Sequence, residues 1–516
     1  MASPAQAETK DQIHVVEGSD GFNSSQEKLD TAADDVDEAY KFLVAVNVSE
    51  EEIEAVSLKT IHRKIDSRMV PIMLAGYFFT FIDKVLLNYA AVMGMNREIR
   101  LVGNQFSNAN SFFFITYLVA TPLNGYIVNR VPAARWLGAN IFLWGISTAC
   151  GAAIKNYGGL LAVRLCLGLF ESAMNPSSPI ILSAWYTKKE QATRFASAVA
   201  GMGVGQIIGG FLSFGFQHIN NPSFSGWRAL HLFCGGLTCI LGLCYWFFIP
   251  DNPLKASFLS DAEKVVLLRH VSSNRTTVSN YKFTKSQLVD LVKDPQTYIL
   301  SVLMMLTMTP SGVIAAYSTT LISGFGYSPR NAALLNTPSG LVAVIAIMGS
   351  AWGFQKLPSR GIWLAIVCIP GMIGGGLMSF LPRSQRGGLL AGIYLVNTIP
   401  ATVTLNLAWA SSNFAGVTKR AFVMAVLSGA FAMGSLIGPQ TFQARDAPDY
   451  IPAKLTLMVV LAAAIVLVGI LIGYYRWENA RRDEKWGKPR VRVQDLDPET
   501  WANVTDRENR EFRYVY

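Results

Sequence analysis

Residues 160–186 read LLAVRLCLGLFESAMNPSSPIILSAWY. The run exceeds the roughly 20 residues that a helix needs to cross about 30 Å of hydrocarbon, yet Arg164 and Glu171 sit inside it. A soluble amphipathic helix would place such charges on a broad polar face, and this segment has none. The stretch reads as a membrane-spanning helix that carries two charges into the bilayer.

The same kind of run recurs along the chain. Of 516 residues, 51% are hydrophobic and 15% charged, and the mean hydropathy is +0.31, a composition outside the range of soluble globular proteins. Twelve apolar runs lie near 69–93, 107–128, 136–154, 158–183, 195–217, 228–249, 296–322, 331–353, 361–381, 388–411, 420–442 and 453–475. Barrel strands would be about ten residues long with alternating polarity, whereas these runs are longer, continuous and rich in Gly. The fold class is therefore all-α and polytopic, with twelve transmembrane helices in two six-helix halves. The boundaries are an N-terminal tail at 1–68, one bundle at 69–250, a polar centre at 251–295, a second bundle at 296–476 and a C-terminal tail at 477–516.

The net charge of +9 does not indicate nucleic acid, because no basic stretch is interleaved with aromatic residues. The excess Lys and Arg lie in the N-terminal flank, the centre and the segment after Tyr475, which assigns both termini and the centre to the cytoplasm. The sequons at Asn23, Asn47, Asn274 and Asn503 then stay unglycosylated. All six cysteines fall in apolar runs without ligand spacing and read as small buried hydrophobes. No metal site and no cofactor is indicated. No signal peptide is visible, and 48–69 reads as a short amphipathic helix before the first span. FLSDAEKVVLLRHV at 258–271 has Ser260 as N-cap and reads as a surface helix, while 493–516 reads as a disordered or loosely packed tail.

Four ionisable residues lie deep within the spans: Asp83 and Lys84 in the first, Arg164 and Glu171 in the fourth. An ionised side chain at mid-membrane costs about 2.5–3.5 kcal/mol or more, so each needs a partner or a wet cavity. At 100° per residue Arg164, Gly168, Glu171 and Asn175 share one face of the fourth helix. Tyr77, Thr80, Lys84 and Asn88 share one face of the first, with Asp83 on its flank. Two readings follow. The charges are structural ion pairs that orient helices. Alternatively Arg164 or Lys84 holds an anionic substrate while Glu171 or Asp83 carries a proton. The C-terminal half offers only polar and aromatic candidates, Tyr317, Ser318, Asn336, Asn397, Asn406 and Trp409, which either contact substrate or join helices.

Gly201, Gly205 and Gly209 form a small-residue stripe in the fifth span, and Gly434 and Gly438 occupy a comparable place in the eleventh. No nucleotide-binding, metalloprotease or nucleophile-elbow motif appears, so the chain reads as neither an enzyme nor an ATP-driven pump. An ion gradient is left as the energy source.

Particular motifs carry a resemblance. LNYAAVMGM at 87–95, RLCLGLFESAMNPSSPIILSAWYTKKEQATR at 164–194, GWRALH at 226–231, PDNP at 250–253, KDPQTY at 293–298, SGFGYSP at 323–329 and TKRAF at 418–422 resemble the anion:cation symporter family of the major facilitator superfamily, in its fungal allantoate permease branch. The resemblance spans roughly 65–485. It implies a monomeric plasma-membrane carrier that takes up a small organic anion, such as allantoate, ureidosuccinate, nicotinate, pantothenate, biotin or a short peptide, together with protons. The family's RxxxGxxE signature falls on Arg164, Gly168 and Glu171, making Arg164 the leading anion site and Glu171 the leading proton site. Asn129 stands where the superfamily's gating loop has Asp, which weakens the charge relay on which a gating role for Arg130 and Arg135 would rest. Export of an anionic metabolite uses the same scaffold and is the alternative function. A nutrient sensor that binds without transporting is a third.

Overall fold

The computed structural model describes residues 42, 46, 49–128, 130–219, 224–272, 285–357, 359–446, 449–487, 505–510 and 512–516. Asn129 and the four sequon asparagines lie outside them. Eleven helices are long and apolar enough to cross a membrane. We label the spans α1 (Leu58–Val92), α2 (Gln105–Val128), α3 (Ala133–Cys150), α4 (Tyr157–Trp185), α5 (Thr193–Phe216), α6 (Gly226–Phe248), α7 (Pro295–Gly324), α8 (Pro329–Phe354), α9 (Arg360–Phe380), α10 (Arg386–Asn413), α11 (Thr418–Gln440) and α12 (Ile451–Trp486). The twelfth expected span is α3. It forms and packs, but Arg135, Asn140 and Thr148 dilute its apolarity, and it is not among the eleven.

Packing repeats between the halves. α1 lies on α5 as α7 lies on α11, and α3 on α6 as α9 on α12. The halves meet through the pairs α2 with α11 and α5 with α8, and through α1 with α7. Their outer faces are as apolar as their inner ones. Phe247 is 73% exposed and Val119 63%, where a soluble protein would present polar side chains.

The glycine stripes are what bring the backbones together. A Cβ at Gly201 would stand 2.4 Å from the Leu74 carbonyl oxygen and one at Gly205 2.6 Å from that of Phe78, both on α1. On α11, Gly434 and Gly438 lie as tightly against the Met305 and Thr309 carbonyls of α7. In lipid, where burial of apolar surface drives no helix association, such close approach is the main source of packing energy.

Four local expectations are corrected. The segment 48–69 is not a separate helix: a short turn at Glu50–Glu54, capped by Ser49 and Glu52, precedes residues that already belong to α1. α4 is not continuous, because it stops at Glu171 and restarts at Met174. Pro176 cannot donate to the carbonyl four residues back, which leaves Ser172 at the break. The end of the tail is docked rather than loose. Asp506 and Tyr514 are buried, and the Tyr514 ring stacks on Tyr475 of α12 at 5.1 Å. Among the cysteines only Cys234 and Cys368 are buried, while Cys150 and Cys166 are exposed at the helix surface.

The linker helix Asp261–Ser272 is capped as expected, with Ser260 and Glu263 exchanging hydrogen bonds of 2.9 and 3.3 Å. It joins α1 through Lys64 and Glu263 at 2.6 Å, and the docked tail joins the second linker helix, Lys285–Val292, through Arg507 and Asp290 at 3.0 Å. Linker, α1 start and tail therefore share one face of the molecule, called here the linker face.

Candidate functional site

Adjacent residues on a helix point about 100° apart, and this angle separates the charges of α1. Asp83 turns toward α3 and α6. Its Oδ1 accepts a 2.8 Å hydrogen bond from Thr148 Oγ1, and it lines a narrow crevice with Leu86, Leu87, Arg164 and His231. Arg164 is buried there and acts electrostatically on Asp83 and Glu171, but makes no direct ion pair among the described residues. The crevice lies within the N-terminal bundle.

Lys84 turns the other way. Its Nζ lies 3.2 Å from Glu171 Oε1, and 5.9 Å from the centre of the Phe431 ring, which belongs to α11 of the opposite half. Glu171 is 1% exposed, and apart from this ion pair neither of its oxygens has a hydrogen-bond partner among the described residues. A lysine with three donors and a carboxylate with about four lone-pair sites thus face each other with most of their capacity unused. Between them on the RLCLGLFE turn, Gly168 packs against α2, where a Cβ would stand 2.4 Å from the Phe113 carbonyl oxygen. The three signature positions therefore face three directions: Arg164 into the bundle, Gly168 onto α2, Glu171 onto Lys84.

The other candidates divide between the two halves' interface and their interiors. Asn88 crosses to α7, its amide 3.1 Å from Ser318 Oγ and 3.2 Å from Thr319 and Thr320 Oγ1. Asn336 of α8 reaches Tyr89 Oη at 3.4 Å, and Asn397 of α10 accepts from Gln206 of α5 at 3.0 Å. Tyr317 is hydrogen-bonded to Ser107 of α2 and stacks on Phe442 at 4.3 Å. Tyr77 is buried with its ring edge-on to Phe195 at 5.8 Å, and Thr80 is buried beside it on α1. Asn406 stays within its own half, donating to Thr307 at 3.5 Å with its Oδ1 buried and unpartnered. Asn175 lies beyond the break in α4, off the expected ridge, and donates to Tyr117 Oη at 2.7 Å. Trp409 donates to the Val515 carbonyl of the docked tail.

Most of the polar contacts across the interface lie away from the linker face. Besides those of Asn88, Tyr317 and Asn336, Asn104 donates to Gln443 at 2.6 Å and Gln440 to Ser111 at 2.8 Å. All belong to helix ends and loops remote from the linker. Most of the described polar contacts between the halves thus lie on the far side of Lys84 and Glu171.

Neither gating-loop arginine reaches the opposite half among the described residues. Arg135 pairs with Asp251 at 3.3 Å, and Asp251 also accepts from the first backbone amides of α3. Arg130 stacks over Tyr126 at 4.3 Å.

Two clusters were not legible in the sequence. Lys419 of the TKRAF motif is fully buried, with Nζ 2.8, 2.7 and 2.8 Å from carboxylate oxygens of Asp290, Asp294 and Asp506. The motifs at 293–298 and 418–422 therefore answer each other at the linker-face ends of α7 and α11. Burial raises the Asp506 carboxyl above its ordinary range even against the pull of Lys419. On the opposite face, Glu98 bonds Ser225, Trp227 and Arg228 of the GWRALH region at 2.6 to 3.0 Å. Burial would raise its carboxyl, and these donors together hold it below the ordinary value.

The comparisons with known proteins agree with this architecture. The Major Facilitator Superfamily model matches residues 73–439. A thiamine pathway transporter of Saccharomyces cerevisiae, THI73, is 36% identical over 88% of the chain and 86% of its own length. The allantoate permease of the same yeast is 30% identical over 95% and 92%. A crystal structure of a bacterial homologue of the human lysosomal transporter Spinster, inward-facing and occupied, superposes with a TM-score of 0.56 at 14% identity, covering 80% of this chain and 96% of that one.

Proposed function

Since the chain belongs to the major facilitator superfamily, a family of membrane transporters and not of enzymes, we propose that it carries a small organic anion by alternating access, in symport with protons, and that Lys84 and Glu171 are the coupled pair. The observation that carries this reading is their geometry: a buried 3.2 Å ion pair, largely without other partners, at the meeting of α1, α4 and α11. A proton on Glu171 would release the ammonium of Lys84, which then takes an anionic group of the substrate in place of the carboxylate. Leaving either charge alone in this setting is costly, so the two occupancies are tied together.

Because most polar contacts between the halves lie on the far side, we take the linker face as the side from which the pair is reached. With that face cytoplasmic, as the distribution of Lys and Arg supports, the conformation is inward-facing. Arg164 becomes a supporting charge, held in the crevice with Asp83 and acting on Glu171 from inside the bundle. Residues 69–250 and 296–476 act as the two moving bundles, a monomer holds the complete site, and the plasma membrane is the expected location.

The relatives' names set the substrate panel. One is an allantoate permease and another a thiamine pathway transporter. Uptake of labelled allantoate, nicotinate, pantothenate and thiamine is measured at two pH values in a host lacking its own permeases. Accumulation of one of the carboxylates, stronger at the lower external pH and absent in Lys84→Gln, is the expected result. Uptake of thiamine, a cation, with no carboxylate transported would overturn the reading, because a fixed ammonium repels it.

A further inference from the structure

At the linker face three segments distant in sequence bring two imidazoles and a carboxylate together. His62 lies in the first turns of α1, Glu190 in the helix Lys188–Val199 that leads into α5, and His270 in the linker helix Asp261–Ser272. His270 Nε2 is 3.2 Å from both Glu190 oxygens, and His62 Nε2 is 3.6 Å from Oε1. One ring nitrogen of each histidine and one Glu190 oxygen all lie within 4.8 Å of one another. The rings meet nearly edge to face, with centroids 5.6 Å apart.

Two details distinguish the cluster from an ordinary His–Glu contact. The Glu190 carboxylate is oriented by its own helix, since Oε2 accepts from the Thr187 backbone amide at 2.9 Å and from its hydroxyl at 2.7 Å. Oε1 is thereby directed at both imidazoles. The His62 Nε2 is buried and has no hydrogen-bond partner among the described residues.

We propose that His62, Glu190 and His270 form a binding site for a divalent transition cation of the zinc class. Zinc takes imidazole nitrogen at about 2.0–2.1 Å and carboxylate oxygen at about 2.0–2.2 Å, and two tetrahedral ligands at those lengths stand roughly 3.4 Å apart. The separations of 3.2 and 3.6 Å bracket that value, and the three ligand atoms already lie within 4.8 Å of one another. Three protein ligands leave a fourth position for water. Arg194, one turn along the same helix as Glu190, is engaged by both Asp66 oxygens at 2.6 and 2.9 Å, and Lys64 by Glu263, so neither opposes the ion with an unpaired charge. The chain pattern conceals the site, because no two of its ligands are closer than 80 residues in sequence. Bound metal would fasten the linker helix to the ends of α1 and α5.

The test uses the purified full-length protein in detergent, stripped with a chelator and titrated with Co²⁺ as the spectroscopic probe, then with Zn²⁺ in competition. One saturable site with tetrahedral cobalt absorption, displaced by Zn²⁺, is expected. His62→Gln and His270→Gln should each weaken binding by about tenfold or more, since even loss of an outer-shell partner has that effect. The histidines are chosen because Glu190→Gln would also disturb the helix cap. Gel filtration and a melting curve without metal check that the variants are folded. Cobalt binding of unchanged affinity in the folded double variant His62→Gln/His270→Gln, or no saturable binding to the parent protein, would overturn the proposal.

Discussion

Replacing one or both members of the Lys84–Glu171 pair tests whether it behaves as a coupled unit. At 3.2 Å and an effective dielectric constant of about 20, the two charges attract by about 5 kcal/mol. Burial of both ions offsets most of that gain, so the pair as a whole contributes little to stability. Removing one partner is different, because it leaves a charge in a site only 1% to 13% exposed and costs about 3–5 kcal/mol. Lys84→Met and Glu171→Leu should therefore each lower the heat resistance of the detergent-solubilised protein, read as the fraction remaining monodisperse after a temperature series. The double variant Lys84→Met/Glu171→Leu should recover most of the loss, a coupling of at least about 2 kcal/mol in favour of the double change. Gradient-driven accumulation should be absent in all three. Additive losses in the double variant would show that the two side chains do not act on each other, and the reasoning would fail.

Lys419→Met strands Asp294 and Asp506 in the interior and should cost about 3–5 kcal/mol, whereas deleting residues 505–516 leaves Lys419 its two linker-side carboxylates and should cost less; limited proteolysis and heat resistance rank the two. Gly168→Leu drives a side chain into the Phe113 carbonyl and should destabilise by at least about 1–3 kcal/mol, while Gly469→Ala, with nothing within 4 Å of the new methyl, should be silent in the same assay.

The spans were legible because length and continuous apolarity are set by the bilayer, and all twelve runs are helical, although α1 already begins at Leu58, α12 runs on to Trp486, and α4 and α10 are each interrupted. α3 is more polar than its neighbours but forms near its expected place, packed closely on α6 through Gly138 and Gly145. Helical periodicity found the polar face of α1, and Lys84 and Asn88 do both turn toward the opposite half. It misplaced Asn175, since a periodic projection assumes an unbroken helix and Pro176 breaks this one. It also grouped Arg164 with Glu171, where the tertiary fold uses their small angular offset to send them to different neighbours. Lys419 with Asp294, and the His62, Glu190 and His270 cluster, were out of reach because nothing local couples residues 125 or 208 positions apart.

Proton coupling through this pair requires that Glu171 takes up and releases a proton in each cycle. Purified protein and its Glu171→Gln variant are reconstituted into liposomes, and two quantities are compared: accumulation of labelled substrate driven by an imposed pH gradient, and counterflow exchange without one. A neutral amide leaves Lys84 free for the anion but has no proton to give. The variant should retain exchange and lose gradient-driven accumulation. Accumulation in Glu171→Gln with the parent's dependence on pH would contradict it.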